Sequence, residues 1–571
     1  MDTIYFDIES NGLLDTTDRL ICIGWQRKGE EPRIAFTPQQ IEEALRAIEL
    51  ADEVIGHNVV AFDIPVLKKL YPRWSGPSGA VRDTLVLARL VHPDIKDDDF
   101  QTEGFPKEMT GSHALKAWGH RLGMAKGVVM EEVVDWKSLE YTDEIGDYCM
   151  QDVRITAALH ERLMSKISSL DSVLLEHDFA EIIAGQIRNG FSFDKEAAGQ
   201  LYSVLAGERD RLVRELQAEV PPTIVQLKTK TKEIPFNPAS RQQIAAALRA
   251  LGWEPTEFTP SGEAKVDEAV LGALEYPIAK KLSHYLLVQK RIGMLAEGDE
   301  AWLKVERAGR IYGSVNHNGA VTGRCTHRGP NMAQVPACGS PYGKECRSLF
   351  TAPKGRVLVG VDAAGLELRC LAHYMAKWDD GAFAKELLEG DIHTANQKAA
   401  GLPTRNDAKL FIYAFLYGAG PAKLGKIIGG GYNEGKEMQK RFLAKVPALK
   451  KLKDAVEQAS KRGHIYGLDG RRLRIRSAHA ALNTLLQSAG AIIMKQATVL
   501  MHRELLRHGL AGRFKQVAHI HDEVQFEVDA ADADEAARIV KRCITKAGEV
   551  LGFRCRLDGE AKIGRNWAET H

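Results

Sequence analysis

The sequence predicts an α/β domain at the N-terminus, a mainly helical segment after it, and an α+β domain in the C-terminal half. Three observations support this order. Strand-like and helix-like runs alternate over residues 1–170, helical periodicity dominates residues 175–300, and from about residue 300 strands reappear on both sides of a long helical block. A chain of 571 residues is too long for one hydrophobic core, so two to four domains are expected.

The individual elements follow from their apolar spacing. In the first region the expected strands are TIYFDIE, LICIGWQ and EVIGHNVV, and the expected helices are PQQIEEALRAIELA and DTLVLARLV. The second region has the helical runs ERDRLVRELQAEV, SRQQIAAALRALG and IAKKLSHYLLVQKRIGMLAEG. In the third, GRVLVGVDAA and FKQVAHIHDEVQFEV are strand-like. Residues 221–238, which contain Pro, and residues 329–343, which contain Pro and Gly, are expected to be loops.

The composition is that of an ordinary globular protein, with 44% hydrophobic and 27% charged residues. The net charge of +1 neither supports nor excludes nucleic-acid binding, because a binding cleft needs only local basicity. The eight cysteines form no Cys-x-x-Cys pair, so neither a zinc site nor a disulfide framework is indicated. The start, MDTIYFDIES, lacks the features of a signal peptide, and no apolar run is long enough to span a bilayer. We therefore expect a cytoplasmic location and no membrane partner.

Acidic residues recur at three places in the N-terminal region. Asp7 and Glu9 are two apart on a strand and so share a face, Asp63 follows a strand end, and Asp152 lies one helical turn after Tyr148. Each motif alone is common on solvated surfaces. Four carboxylates in one pocket would repel strongly unless cations neutralised them, which favours two divalent ions. Tyr148 would then orient an attacking water.

A second group of acids lies in the C-terminal half. The run AHIHDEVQFEV places His521, Asp522 and Glu523 in the middle of an alternating pattern, which suits either an ordinary hairpin turn or a metal site held on a turn. Asp362 ends a buried strand just before Ala363, whose carbonyl is accessible. Asp362 is either a metal ligand or the N-cap of the next helix.

One helical run, TRNDAKLFIYAFLYGAG, carries cations and aromatics at four-residue spacing: Arg405, Lys409, Tyr413 and Tyr417. Two cations one turn apart suit a triphosphate, and an aromatic further along suits base stacking. Upstream, His393 would add a phosphate donor. A solvated basic helix and a packed histidine are the ordinary alternatives.

Two more acids and two basic stretches have a functional and an ordinary interpretation. Asp83, before TLVLARLV, is best explained as a helix N-cap. Glu367 is either a solvated helix residue or a side chain that walls off the sugar 2′ position. The basic stretches KTKTK (228–232) and GLDGRRLRIRS (467–477) either contact nucleic-acid phosphates or lie in solvated loops.

The order and spacing of the N-terminal motifs resembles the DEDD-type 3′–5′ exonucleases, in the subclass with Tyr in the third motif. The C-terminal motifs DAAGLELR, RNDAKLFIYAFLYGAG and HDE resemble the family A DNA polymerases. GAVTGRCTHRGPNMAQVP and ALNTLLQSAGAIIMKQA are similar to family segments that contact the primer–template minor groove, here through Arg324, Asn483 and Gln487. Within the family, GSHALKAWGHRLG and HAALNTLLQSAGA are most similar to the replicative polymerases of podophages of the coliphage T-seven type.

The resemblance implies a fold and a domain order. Residues 1–170 would be an RNase-H-like α/β exonuclease domain, and the rest a right-hand polymerase domain with an antiparallel-sheet palm and helical thumb and fingers. The thumb would span 171–300, the first part of the palm 301–374, the fingers 375–500 and the second part of the palm 501–571. We expect no 5′ nuclease domain ahead of the first motif.

It also implies two reactions. DNA would be extended by dNTPs through two-metal phosphoryl transfer, and 3′ ends would be proofread by hydrolysis. Each active site would take two Mg²⁺, with Mn²⁺ as a substitute. The implied metal ligands are Asp362, Ala363 and Asp522 in the polymerase site and Asp7, Glu9, Asp63 and Asp152 in the exonuclease site. Besides these, the implied catalytic residues are Glu523, Lys409 and Tyr148. The nucleotide would be bound by His393, Arg405, Lys409, Tyr413 and Glu367, and DNA by Arg324, Tyr417, Asn483, Gln487 and His521.

Primer–template DNA and dNTPs are the expected partners, with helicase, primase and single-strand-binding protein as candidates. Thioredoxin is not predicted, because residues 195–300 show no evident insertion, and a monomer is expected. Two alternatives stay open. One is a polymerase of the same palm with a different template or sugar choice, against which the intact exonuclease motifs and Glu367 argue. The other is a nucleic-acid-binding relative that has lost its chemistry, against which the complete set of carboxylates argues.

Overall fold

The computed structural model describes residues 1–124, 135–226 and 231–571. The chain divides into two compact units, one made of residues 1–189, 315–326 and 359–563 and the other of residues 190–314, 327–358 and 564–571. Most of the basic stretch 228–232 lies outside the described residues. No helix within the described ranges is long and apolar enough to cross a membrane.

The N-terminal part of the first unit is built on a five-stranded sheet of order β3-β2-β1-β4-β5. Strand β1 is antiparallel to β2 and parallel to β4. The strands are β1 (Thr3–Ser10), β2 (Leu20–Arg27), β3 (Arg33–Ala35), β4 (Glu53–Gly56) and β5 (Ala80–Asp83). The helices are α1 (Pro38–Leu50), α2 (Asp63–Leu70), α3 (Thr84–Val91), α4 (Ile95–Gln101), α5 (Leu115–Leu122), α6 (Asp143–Met164) and α7 (Leu170–Asn189).

Apolar burial on β1 explains why this strand lies at the centre of the sheet. Ile4, Phe6 and Ile8 are buried on one face and pack in a cluster with Val54 of β4. Burying such side chains contributes roughly 1.5–3 kcal/mol each. Helix α6 packs against β1 and β2, so the side chains of α6 that face the sheet lie close to those of β1.

The second unit is mainly helical. Its elements are β6 (Phe191–Ser192), α8 (Lys195–Glu219), β7 (Thr223–Gln226), β8 (Thr231–Ile234), α9 (Arg241–Ala250), α10 (Glu268–Gly272), α11 (Pro277–Ile292), α12 (Trp302–Val305), β9 (Arg310–Ile311), β10 (Ser314–Asn316), β11 (Thr326–Arg328) and α13 (Gly343–Ser348), of which β10 and β11 cross the boundary between the units. Phe193, Trp302, Phe350 and Trp567 form an aromatic core with ring centroids 5.3–6.4 Å apart.

The prediction of a plain loop over residues 221–238 is wrong. Strands β7 and β8 pair antiparallel there from Thr223 opposite Ile234 to Gln226 opposite Thr231. Ile224, Val225, Thr231 and Ile234 have β-branched side chains that favour an extended backbone, and the Pro residues lie outside the paired segments. The local residues therefore support a hairpin that the Pro-containing flanks obscured.

The rest of the first unit surrounds a four-stranded sheet of order β15-β16-β12-β17. Its elements are β12 (Arg356–Ala363), α14 (Leu366–Asp379), α15 (Ala382–Glu389), α16 (Ile392–Ala400), α17 (Arg405–Leu416), α18 (Pro421–Lys426), α19 (Tyr432–Lys445), α20 (Pro447–Ser460), β13 (His464–Tyr466), β14 (Arg472–Arg474), α21 (Ala481–Arg507), β15 (Phe514–Ile520), β16 (Glu523–Asp529), α22 (Ala533–Val550) and β17 (Gly559–Gly564). The helical block between β12 and β15 is as predicted.

A buried cluster of charges joins three segments of the first unit. Glu176 on α7 is fully buried and accepts hydrogen bonds from Lys495 of α21, from Arg471 Nη1 at 2.7 Å and from His317 Nδ1 at 3.0 Å. Although burial acts to raise it, the cations Lys495 and Arg471 and the bond from His317 hold the pKa of Glu176 well below its usual range. Arg471 also bonds Asp469.

Candidate functional site

The four acids predicted to meet in the N-terminal region are called here the first carboxylate cluster: Asp7, Glu9, Asp63 and Asp152. Asp7 and Glu9 lie on β1, and the N–H of Ile8 between them donates to Asp63 Oδ1 at 3.2 Å. Asp63 and Asp152 are each only 3% exposed. The charge of Asp152 acts on Asp63. Strand β1, the start of α2 and the sheet-facing side of α6 therefore bring these side chains into one region.

The electrostatics of this cluster are those of crowded anions. Burial, then the charge of Asp83 and more weakly that of Asp152, raise the pKa of Asp63 to about 8. Asp83 itself is the N-cap predicted from the sequence, since it accepts the N–H of Leu85 at 2.9 Å. It also accepts the N–H of Asn58 at 2.8 Å, which holds the loop that leads into α2.

Tyr148 is half-buried on α6, one turn before Asp152 and on the side of the helix that packs on the sheet. Sequence reasoning missed its neighbour Cys149. The Cys149 thiol lies 3.6 Å from the carbonyl oxygen and 3.8 Å from Oδ2 of Asp7. Its hydrogen bond with Cys22, together with burial, raises the pKa of the Cys149 thiol well above its usual value. Cys149 lies three residues before Asp152 on the same helix, and this spacing could have indicated from the sequence that the thiol lies near the carboxylates.

The second carboxylate cluster consists of Asp362 and Asp522. Strand β12 carries Asp362 near its end, and the N–H of the next residue, Ala363, donates to the carbonyl of Asp522 at 3.0 Å. Asp522 is exposed on the two-residue turn between β15 and β16. Helix α14 begins after Gly365, which is its N-cap, so Asp362 is not the helix cap that was left open.

The turn is built by residues with different surroundings. His521 is exposed and has φ of +56°, a conformation that non-glycine residues adopt mainly in tight turns. Glu523 starts β16, is buried, and accepts a hydrogen bond from Gln525 Nε2 at 2.7 Å. A hairpin turn and a carboxylate site are therefore combined here, and the two interpretations of this run do not exclude each other.

Glu367 on α14 is bonded rather than solvated. It accepts a hydrogen bond from the Tyr417 hydroxyl, and Arg324 Nη2 lies 3.6 Å from its Oε1. Burial raises the pKa of Tyr413, and the charges of Glu367 and Asp522 add to this effect. Tyr413, Tyr417, Arg324 and Glu367 are thus neighbours, and Tyr413 lies close enough to the second carboxylate cluster for Asp522 to influence it.

Only some of the residues predicted to bind the nucleotide on helix α17 are exposed and without a bonded acidic partner among the described residues. Lys409 is exposed, whereas Arg405 Nε donates to Asp391 at 2.8 Å, so this cation already has an anionic partner. The rings of His393 and Tyr413 lie 6.5 Å apart. Tyr417 caps the C-terminal end of the helix rather than continuing its face.

Helix α21 begins near the predicted minor-groove residues. Asn483 and Gln487 are half-buried one turn apart, and Gln487 Nε2 donates to Asn483 Oδ1 at 2.9 Å. This hydrogen bond orients the two side-chain amides toward each other.

The stretch 467–477 contains the turn and second strand of the predicted Gly-turned hairpin, in which β13, just before this stretch, pairs antiparallel with β14. Three of its cations have acidic partners within the chain: Arg471 is buried with Asp469 and Glu176, and at the surface Arg474 Nη1 contacts Asp98 at 2.8 Å and Arg476 contacts Asp97 at 3.1 Å.

Comparison with known proteins assigns the chain. Residues 210–569 match the family model described as DNA polymerase family A. The chain belongs to that family. It is 38% identical to the DNA-directed DNA polymerase of Enterobacteria phage T3, with 99% of each chain covered, and 37% identical to that of Escherichia phage T7, with all of each chain covered.

A solved structure shows the same fold. The polymerase domain of Pol1 from M. smegmatis, in complex with DNA primer–template and dNTP, superposes with a TM-score of 0.79 at 19% identity, covering 100% of this chain and 96% of that one. The match extends beyond the segment covered by the family model, to the N-terminal sheet. The expected resemblance to family A and to phage polymerases is confirmed.

Proposed function

We propose that this family A polymerase extends a DNA primer with dNTPs at the second carboxylate cluster and removes mispaired 3′ ends at the first. The observation that carries the polymerase site is the hydrogen bond from Ala363 N–H to Asp522 O. It holds β12 and the β15–β16 turn side by side, so that the carboxylates of Asp362 and Asp522 belong to one rigid backbone frame.

The side chains around this frame divide the work of holding the substrates. Lys409 is exposed and offers a cation to the triphosphate, with Arg405 and His393 on the same side. Tyr413 and Tyr417 supply aromatic surface to the nascent base pair, and Glu367, held by Tyr417 and Arg324, limits space at the sugar 2′ position. His521, Asn483 and Gln487 are proposed contacts to DNA, while Glu523 supports the turn from its buried position.

In the proposed extension reaction, the primer 3′ oxygen attacks the α-phosphorus of the dNTP and pyrophosphate leaves. Asp362, Asp522 and the carbonyl of Ala363 would hold Mg²⁺, or Mn²⁺ in its place. When bound, two such ions neutralise developing charge on the attacking and leaving oxygens. The chain itself positions the reactants, and this positioning supplies much of the rate enhancement in phosphoryl transfer.

The first carboxylate cluster is proposed as the proofreading site, in an RNase-H-like exonuclease domain. The donor set suits divalent cations, because carboxylate oxygens are ligands that such ions prefer and because the pKa of Asp63 is raised by burial and by the carboxylates of Asp83 and Asp152. Tyr148, on the helix face beside Asp152, would orient the water that attacks the terminal phosphodiester. The products are a shortened strand and a nucleoside monophosphate.

Separate loss of the two reactions tests the proposal. A labelled primer–template with Mg²⁺ is assayed with dNTPs for extension and without them for 3′ degradation. We expect Asp522→Ala to abolish extension and keep degradation, and Asp7→Ala to do the reverse. Two exposed acids supply matched controls, Asp534→Ala and Asp15→Ala, which should keep both reactions.

The proposal fails if the unaltered protein shows neither reaction on DNA, or if either substitution removes both reactions while the protein stays folded. Replacement of dNTPs by NTPs in the same assay tests the alternative sugar choice. Extension with NTPs at a comparable rate would favour the alternative polymerase.

A further inference from the structure

The N-terminal sheet places a thiol beside two of the proposed metal ligands. Donor atoms of Asp7, Glu9 and Cys149 all lie within 4.8 Å of one another. Among the residues that the structure describes, this is the only group of three or more His, Cys, Asp or Glu side chains close enough to share one metal ion. Two carboxylates alone suit Mg²⁺, whereas an added sulfur suits a softer cation.

The backbone makes room for this sulfur. Gly24 on β2 is paired with Asp7 on β1. A Cβ atom on Gly24 would lie 2.9 Å from Cys149 Sγ and 3.2 Å from the Cys149 carbonyl oxygen, and the first of these is closer than real Cβ atoms approach. A glycine opposite Asp7 therefore allows α6 to bring the Cys149 thiol against the strand that carries both carboxylates.

A purely structural role is the alternative explanation. Buried cysteines often act as small apolar residues, and Cys149 does pack with Ile21, Cys22 and Ile145. Apolar packing does not account for the direction of the sulfur, however. Besides the Cys22 thiol, its polar contacts are the carbonyl oxygen and Oδ2 of Asp7, at 3.6 and 3.8 Å. The thiol therefore lies on the carboxylate side of its apolar cluster.

We propose that Asp7, Glu9 and Cys149 form a mixed oxygen–sulfur site for a thiophilic divalent cation of the Zn²⁺ class. Binding replaces the thiol proton, which passes to solvent, with a metal–sulfur bond. Three protein donors are the number that Zn²⁺ commonly takes where one position stays open. At this site Zn²⁺ would compete with Mg²⁺ for Asp7 and Glu9 and so change proofreading. This consequence rests on the proposed exonuclease function, whereas the binding of the cation does not.

Cd²⁺ is the probe for the binding step, since cadmium bound to a thiolate has an ultraviolet charge-transfer absorption that Mg²⁺ lacks. The full chain is titrated with Cd²⁺ alone, as unaltered protein and as Cys149→Ser. We expect the Cys149→Ser protein to lose one thiolate's share of this absorption and to bind Cd²⁺ at this site about ten-fold more weakly or worse. Asp7→Asn should weaken binding without changing the number of cysteines.

The matched control is Cys543→Ser, which replaces another buried helical cysteine, on α22. This variant should keep the Cd²⁺ signal of the first site. Equal signals from the unaltered and Cys149→Ser proteins, or an equal loss in Cys543→Ser, would overturn the proposal. Primer extension shows whether each variant is folded, and Cys149→Ala replaces Cys149→Ser if the serine variant is not.

A second assay separates this inference from the proposed function. Zn²⁺ is added to 3′ degradation reactions that contain Mg²⁺, and the degradation rate is measured at each Zn²⁺ concentration. The Zn²⁺ concentration that gives half of the maximal change in this rate should be about ten-fold higher for Cys149→Ser than for the unaltered protein. Degradation by the unaltered protein without a Cys149-dependent Cd²⁺ signal would overturn the mixed site and keep the exonuclease. A Cys149-dependent signal without any degradation would keep the site and overturn the exonuclease.

Discussion

Helices α2 and α7 each bury a carboxylate, Asp63 at the start of α2 and Glu176 on α7. Glu176 is fully buried, yet Lys495 and Arg471 keep it ionised. Asp63 is 3% exposed, and the charges that act on it are other carboxylates, so its pKa rises to about 8. The chain supplies cations to one buried acid and leaves the other among anions.

This difference separates a structural ion cluster from a candidate metal site. Removing a carboxylate from water costs several kcal/mol unless a cation offsets the loss. At Glu176 the cations are covalently part of the protein, whereas at Asp63 the charges that act are those of Asp83 and Asp152, and the carboxyl retains its proton up to about pH 8. The exposed turn that carries Asp522 is a third case, since solvent there reduces the cost of the charge.

The largest effect is expected at the paired acid. Glu176→Gln removes the anion that Lys495 and Arg471 share and leaves buried cations undercompensated, which should destabilise the first unit by about 3–5 kcal/mol. Thermal or denaturant unfolding measures this. The control is Glu181→Gln, an exposed acid on the same helix. Equal unfolding midpoints for the two variants would show that the charge cluster contributes little.

Asp63→Asn should change the free energy of unfolding in the opposite direction, toward greater stability. Because the pKa of Asp63 is raised in the folded state, the folded protein binds the proton more tightly than the unfolded chain, and stability is lost as pH rises from about 4 to about 8. In chelator, Asp63→Asn should therefore stabilise the protein by about 2 kcal/mol at pH 9 and by less at pH 6.

The comparison variant for this measurement is Asp522→Asn, at the exposed turn. Its unfolding midpoint should stay close to that of the unaltered protein at both pH values. Destabilisation by Asp63→Asn at pH 9, in the absence of metal, would mean that Asp63 is stabilised by its surroundings as Glu176 is, and the contrast would be lost.

Because Asp522 of the second carboxylate cluster is exposed, we expect neighbouring side chains that contact the substrate, rather than burial of the carboxylates, to set the selectivity between dNTPs and dideoxynucleotides. The charges of Glu367 and Asp522 act on the Tyr413 hydroxyl, and under the proposed polymerase function this hydroxyl replaces the hydrogen bond lost with a dideoxynucleotide. We expect ready incorporation of dideoxynucleotides, and about ten-fold less by Tyr413→Phe, which corresponds to about one hydrogen bond. Competition between dNTP and ddNTP measures it. Equal use by both proteins would contradict the prediction.

The smallest effect is expected where paired charges are exposed. Arg474 and Asp98 are 2.8 Å apart, with both side chains 44% exposed. Asp98→Asn should cost about 0.5 kcal/mol or less, and added salt should remove the difference. A loss as large as that for Glu176→Gln, measured in the same unfolding assay, would show that exposure does not separate these ion pairs.

Much of the candidate site could be predicted from the sequence, because the motifs depend on local geometry. A two-residue period places Asp7 and Glu9 on one strand face, and a four-residue interval places Tyr148 and Asp152 on one helix face. Strand, turn and strand around Asp522 follow from the alternating run in the same way. These patterns, combined with their order, indicated the polymerase family that the comparisons confirm.

Other features required the folded chain. The contact between Cys149 and Asp7 joins residues 142 apart, and that between Lys495 and Glu176 joins residues 319 apart. No local period encodes such pairs, since each depends on how a helix packs against a distant element. Gly24 and Arg474 illustrate the same limit, because one looks like an ordinary strand glycine and the other like a solvated cation. The sequence alone determined most of the elements, the family and the carboxylates; tertiary packing decided which buried carboxylates lie beside cations of the protein and which lie beside other carboxylates.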